Sequence, residues 1–372
     1  VMQLGDRVQD GPRFAAFGRG DRGIGNGQVA IPFCNVLQLA GHYIAQSRPC
    51  GNRHVPPLSP PDCPPGGKQG TPMSSMTTAE RRGYQQICGE DGAMMVIACD
   101  QRGGMRSLLA TTPEDQAKIG NDVLGLTKMD IASHLARHAT AVLVDPICAV
   151  PGIVDQGVLH RSTALLIGLD ASGWETSPEG YRISTLVPGI SARKVRDLGG
   201  TGAKIMVYLR SDTPAANEQN IATLQDAIAD FAAENLLLVV EFLTYPLEGE
   251  DKADYAAKLP ALIEGGSRIC LDLGAKVLKI PYPGTAAACA NITAMAGDVP
   301  WAVLSAGVDH ATFLGQVETA MANGASGVIA GRSLWKDCIS LDRAVTRQRL
   351  TDIALPRLRE IRAVIARHMP RA

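Results

Sequence analysis

Two lysines and one glutamate stand out because of where they fall in alternating strand-like segments. In residues 203–210, Ile205, Val207 and Leu209 form an apolar set, while Lys204, Met206, Tyr208 and Arg210 take the alternate positions. Successive side chains of a strand point to opposite faces, so one set packs outward and the other points inward. In 236–243 the outward set is Leu238, Val240 and Phe242, which sends Val239 and Glu241 inward. In 277–281, Leu278 and Ile280 face out and Lys279 faces in. Three consecutive segments thus aim Lys204, Glu241 and Lys279 at one interior. An amine attacks a carbonyl only when deprotonated, and burial beside another cation favours the neutral form. The iminium that results is an electron sink, so a neighbouring C–C bond can break to leave an enamine, with a carboxylate moving the protons. The competing reading is a buried Lys–Glu–Lys salt bridge that only fixes the interior. Lys276 is a rival nucleophile, but it precedes its segment and falls on the opposite face.

A second group of residues suits an anion. Ser305-Ala306-Gly307-Val308-Asp309 ends one apolar segment and Gly331-Arg332-Ser333 ends the next. Small residues let backbone N–H groups approach a phosphate, and Arg332 adds a bidentate, charged clamp. The alternative is that Gly307 and Gly331 are ordinary turn glycines and Arg332 a surface residue. Asp100-Gln101-Arg102 and Asp145 likewise follow apolar segments. His134 and His138 have a four-residue spacing that can bind zinc, but Leu135 stands where a zincin glutamate would be and no third ligand is evident. A solvated helical face is the expectation there, so no metal and no cofactor is expected.

These residues need a scaffold that brings several strand ends together. Strand-like segments occur at 94–99, 141–145, 163–169, 203–209, 236–243, 277–281, 301–307 and 326–331. Amphipathic stretches such as 217–234, 252–265, 285–296 and 311–323 lie between them. Strands alternating with helices in units of this size indicate parallel βαβ construction. Eight units suit a (β/α)8 barrel, whose functional groups gather at the C-terminal strand ends, with anion sites after strands seven and eight. An open doubly wound sheet more often carries a glycine-rich first turn, and here the first strand runs into Cys99-Asp100-Gln101-Arg102 instead. Seven of the eight segments contribute a polar residue within or just after the strand: Asp100, Asp145, Lys204, Glu241, Lys279, Ser305 and Arg332.

The whole chain is consistent with such an enzyme. Its 372 residues carry 36 Lys plus Arg against 37 Asp plus Glu, a balance that gives no footprint for nucleic acid or an anionic membrane. Hydrophobic residues make up 45%, enough for a large core, and no apolar run is long enough to span a bilayer. Nine cysteines without a CxxC pair suggest reduced thiols and a cytoplasmic setting. The first 75 residues differ in kind, holding 10 of the 23 prolines and 12 of the 39 glycines. They are expected to be a disordered or non-native extension, with the barrel occupying 76–372. Their G-x-G spacings between Gly18 and Gly27 have no strand before them or helix after them, so a dinucleotide site is not expected there.

Six ordered motifs then carry a resemblance. They are Ala98-Cys99-Asp100-Gln101-Arg102-Gly103, Val144-Asp145-Pro146, Val240-Glu241-Phe242-Leu243-Thr244-Tyr245, Val277-Leu278-Lys279, Leu304-Ser305-Ala306-Gly307-Val308 and Ala330-Gly331-Arg332-Ser333-Leu334-Trp335. From Met76 onward the chain resembles the class I tagatose 1,6-bisphosphate aldolases, a family that includes the sulfofructose-phosphate aldolases of sulfosugar breakdown. The resemblance implies that Lys279 forms the Schiff base, with Glu241 as acid/base and Lys204 as its cationic neighbour. It implies that Asp100 and Gln101 line the sugar site, and that Ser305, Gly307 and Arg332 hold an anionic end; Arg102, Asp145, Ala306 and Gly331 are expected beside them. The substrate would be a phosphorylated ketose and one product dihydroxyacetone phosphate. A homo-oligomer, dimer or tetramer, is expected. Tyr208-Leu209-Arg210-Ser211-Asp212 is closer to the sulfosugar branch, and Glu241 to Tyr245 closer to the tagatose branch. A non-catalytic sugar-phosphate-binding barrel remains the alternative.

Overall fold

The computed structural model describes residues 75–369; the expectation for the segment up to residue 74 lies outside the described residues. Eight short apolar stretches form the strands β1 (Met94–Ala98), β2 (Ala141–Val144), β3 (Ala164–Gly168), β4 (Gly202–Tyr208), β5 (Leu237–Leu243), β6 (Leu278–Ile280), β7 (Trp301–Leu304) and β8 (Gly327–Ala330). All pair in parallel with their chain neighbours, and β8 pairs with β1 to close the barrel. The (β/α)8 expectation is therefore met. Seven of the eight strands end one to three residues earlier than the apolar runs suggest, and β5 ends where its run does, at Leu243. Ser305, for example, accepts a hydrogen bond on Oγ from the Gly331 N–H (3.2 Å) instead of continuing β7.

The alternation sorts the side chains as its period requires. Ile205, Val207, Leu238, Val240, Phe242, Leu278 and Ile280 lie in the outer core between barrel and helices. A separate inner core contains Met94, Val96, Leu143, Leu166, Val239, Val277 and Ile329. Met76 and Ile87 close that inner core from below, the latter on the helix Thr78–Ile87. The helix begins with a reciprocal cap: Glu80 N–H donates to Thr77 Oγ1 and Thr77 N–H donates to Glu80 Oε2. The same Glu80 carboxylate takes the Lys276 ammonium at 2.6 Å, which commits Lys276 to the floor, away from the strand ends.

Outer helices start at side-chain caps. Asp251, Thr285 and Asp309 accept the first-turn N–H groups of Lys252–Asp272, Ala286–Ala296 and His310–Ala322. One addition to the barrel has no periodic signal in the sequence. The loop after β3 folds into an antiparallel ribbon, Glu175–Thr176 with Arg182–Ile183. It returns to the barrel through Ala171 N–H to the Thr185 carbonyl and Val187 N–H to the Leu169 carbonyl.

Candidate active site

Strand register brings the polar layer together. Met206 pairs with Glu241, and Glu241 pairs with Lys279 across β4, β5 and β6, while Lys204 pairs with Gly168 on the other side. Lys279 Nζ donates to Glu241 Oε2 at 2.7 Å, and Lys204 Nζ lies 3.3 Å from the same oxygen. Lys204 Nζ also meets Asp100 Oδ2 at 2.8 Å and Asp170 Oδ1 at 2.5 Å. These groups line a cleft of roughly 230 Å3 with Gln101, Arg102, Met206 and Arg332. An adjoining lobe of roughly 170 Å3 shares Gln101, Glu241, Lys279 and Arg332 and adds Ser305, Ala306, Gly307 and Gly331. The two lobes adjoin through Gln101, Glu241, Lys279 and Arg332, and together they offer room for a small organic molecule.

The electrostatics separate the two lysines. Burial works against a charge on Lys204, but Asp100, Asp170 and Glu241 outweigh it and hold the ammonium well above its ordinary range. Burial likewise raises Asp100, yet Lys204 and Lys279 pull it below the usual carboxylate range. Asp170 ends on the other side: burial raises it, and the neighbouring Asp100 and Glu241 charges add to that, overcoming the Lys204 attraction. Lys204 is thus a fixed cation. Lys279 contacts one carboxylate, Glu241, and lines both lobes.

The other expected residues divide. Gln101 Nε2 donates to Asp100 Oδ1 at 3.0 Å, and its buried Oε1 has no partner among the described residues. That oxygen can receive a substrate hydroxyl. Arg102 donates from Nη2 to the Asp170 carbonyl and so supports the β3 end of the cleft. Arg332 is exposed at the mouth, and its guanidinium forms no ion pair among the described residues. It packs over Gly307, where a Cβ would lie 3.5 Å from its Cζ and Nε; Gly307 has φ +81° and Ala306 φ +47°. Gly331 and Ser305 join the two loops beneath Arg332 through the bond already described.

Asp145 does not join the cleft. It is fully buried, forms an ion pair with Lys128, accepts the Ile147 and Cys148 N–H groups, and stands 3.6 Å from Arg102. Its carboxylate is engaged by Lys128, by two backbone N–H groups and by Arg102, and it is absent from the lining of both lobes. His134 and His138 also stay apart from the cleft. His134 Nδ1 bonds the Asp130 carbonyl, and His138 lies in the turn Ala136–His138, where burial and the nearby Arg359, Arg137 and Arg362 lower its proton affinity. Asp170 is the residue that sequence reading passed over. Its signal was present: it directly follows β3 and Leu169, the one strand end left without a polar contribution.

A closed parallel barrel with paired lysines and carboxylates at its C-terminal mouth is the architecture of a Schiff-base aldolase. The model of the DeoC/LacD family aldolases matches residues 94–337, and the chain belongs to that family. Tagatose 1,6-diphosphate aldolase 2 of Streptococcus agalactiae is 24% identical over 319 residues, covering 78% of this chain and 96% of that protein. A tagatose 1,6-diphosphate aldolase of Listeria monocytogenes is 26% identical over 298 residues, covering 72% and 85%. Among solved structures, an archaeal fructose 1,6-bisphosphate aldolase aligns with TM-score 0.53 at 19% identity over 76% of this chain and 98% of that one. A Schiff-base-forming fructose-1,6-bisphosphate aldolase aligns at 0.51 with the same identity and coverage. These likenesses carry the barrel fold, and the family membership makes the protein an aldolase.

Proposed function

We propose that this chain is a class I ketose-phosphate aldolase in which Lys279 is the imine-forming residue. The observation that carries the assignment is the contrast between two buried lysines: three carboxylates surround Lys204, and one touches Lys279. Glu241 takes the Lys279 proton, and the freed amine attacks the C2 carbonyl of the ketose. Loss of water gives the iminium. A carboxylate of the cluster removes the C4 hydroxyl proton, the C3–C4 bond breaks, and its electron pair moves through C3 to the iminium nitrogen. The aldehyde half leaves; the enamine is protonated at C3, and water releases dihydroxyacetone phosphate and the free lysine. Lys204 stays charged throughout and keeps Asp100, Asp170 and Glu241 from repelling one another. Arg332, with Ser305 and the Gly307 loop, receives the phosphate next to the imine. Family membership disfavours a purely binding role for the lysine cluster.

The tagatose 1,6-diphosphate aldolases among its relatives support a phosphorylated ketose of that type as substrate, with a 6-deoxy-6-sulfofructose 1-phosphate type as the alternative. The reading includes a metal-independent reaction, because an iminium supplies the electrophile that a metal would otherwise provide. It also places the enzyme in the cytoplasm as a dimer or tetramer; among the described residues no helix is long and apolar enough to cross a membrane. Borohydride reduction with dihydroxyacetone phosphate, read by peptide mass spectrometry, tests the assignment. The adduct is expected on Lys279, and Lys279→Ala should lose both adduct and turnover while remaining folded. An adduct on Lys204 or Lys276 would sink it.

A further inference from the structure

Near the ends of the strands opposite Arg332 lies a second guanidinium, that of Arg182, which forms no ion pair among the described residues. Arg182, on the ribbon after β3, has its Cζ 3.9 Å from the centre of the Trp174 ring, and 5.0 and 5.3 Å from those of Tyr245 and Tyr208. Tyr208 stands edge-on to both other rings, at 5.7 Å between centres. Among the described residues no carboxylate forms an ion pair with Arg182. Arg210, only two residues beyond Tyr208, is by contrast gripped by Asp212 and Glu250. Aromatic rings stabilise a guanidinium through its face; the Tyr208 hydroxyl also takes a side-chain hydrogen bond with Arg182, which leaves the remaining edge N–H donors for an oxyanion.

The position is built. The Tyr245 hydroxyl accepts the Arg182 backbone N–H, and Asn220 Nδ2 donates to both the Arg182 and the Tyr208 carbonyls. Asn220 is itself buried and its Oδ1 accepts the Ser184 N–H. Each ring follows the cleft wall by one or two residues: Trp174 after Gly173, Tyr208 after Met206 and Tyr245 after Leu243. The cluster therefore crowns the ends of β3, β4 and β5. In an eight-strand ring β4 stands across from β8, which leads into Arg332.

We propose that Arg182, held in the Trp174–Tyr208–Tyr245 cage, binds the anionic group on the aldehyde half of the substrate, a phosphate or sulfonate at the end remote from the imine. The proposal rests on the Schiff-base reading above. It makes the enzyme selective for ketoses charged at both ends, with one guanidinium on each side of Lys279.

Aldol addition separates the two halves of the substrate. With dihydroxyacetone phosphate as donor, kcat/KM is measured for glyceraldehyde 3-phosphate, for the three-carbon aldehyde carrying sulfonate in place of phosphate, and for uncharged glyceraldehyde. Arg182→Gln should cut the preference for a charged over the uncharged aldehyde roughly ten- to a hundredfold, the scale of one charge-assisted hydrogen bond. The charged aldehyde most affected identifies the natural anion. Borohydride trapping of dihydroxyacetone phosphate should persist in the variant. If wild type and variant both trap but the preference is unchanged, or if all three aldehydes fall equally, the Arg182 assignment is wrong and the imine reading stands. If wild type fails to trap, the imine reading falls and this proposal with it.

Discussion

Lys204 and Lys279 share Glu241 Oε2, yet their surroundings give them different chemistry. A cation ringed by Asp100, Asp170 and Glu241 cannot easily give up its proton, so Lys204 serves best as a permanent counter-charge. Its removal has a calculable sign. In Lys204→Met the three acids lose the influence that lowers Asp100 and Asp170, so their folded proton affinities rise above the unfolded carboxylate value of about 4. Between that value and the raised one, the folded form binds more protons than the unfolded chain, and stability therefore falls as pH rises. Breaking a buried ion cluster from one side costs about 3–5 kcal/mol. Urea unfolding should show a deficit of that order for Lys204→Met at pH 7.5 and a clearly smaller one at pH 5. An equal deficit at both pH values would mean that the loss is one of packing, not of charge.

Barrel closure depends on the seam between β1 and β8. Gly327 pairs with Met94 at φ +144°, and a Cβ there would sit 2.2 Å from the Met94 carbonyl oxygen. Strain and clash together put Gly327→Ala at about 2–5 kcal/mol, whereas Gly152→Ala, with open space around it, should be near neutral. Comparing the two in one denaturation series checks the seam; equal midpoints would show that it can open without loss. The strands themselves were readable because apolar, β-branched runs with a two-residue period have few other homes, and the same period placed Lys204, Glu241 and Lys279 inward. The pairing of Asp145 with Lys128 was not readable, because Lys128 sits on the helix Asn121–Leu135 and no local pattern announces a contact made between elements. The ribbon carrying Arg182 left no trace for a related reason. Strands of two residues have no periodicity, and its position is set by Asn220 and Tyr245 from other elements.

At the scale of the molecule, the polar layer works only because the layers beneath it are dry. Charged groups interact strongly at the mouth when water is kept from the strands below, and the inner core of Val96, Leu143, Leu166, Val239 and Val277 does that. The core is finished by Met76 and by the helix Thr78–Ile87, which packs Ile87 beneath it and ties Glu80 to Lys276 ahead of β6. Met76 is buried whereas Ser75 is exposed, and we propose that the barrel domain begins at Met76. Two truncations test that boundary. A chain beginning at Met76 is proposed to keep the unfolding temperature and turnover of the full chain, since the floor is then whole. A chain beginning at Ala93 loses Met76 and Ile87, each worth about 1.5–3 kcal/mol of burial, and leaves Lys276 without its carboxylate. It should lose about 3–6 kcal/mol in stability. If the shorter deletion already costs as much as the longer one, residues ahead of Met76 take part in the fold, and the barrel's floor extends further than the helix Thr78–Ile87.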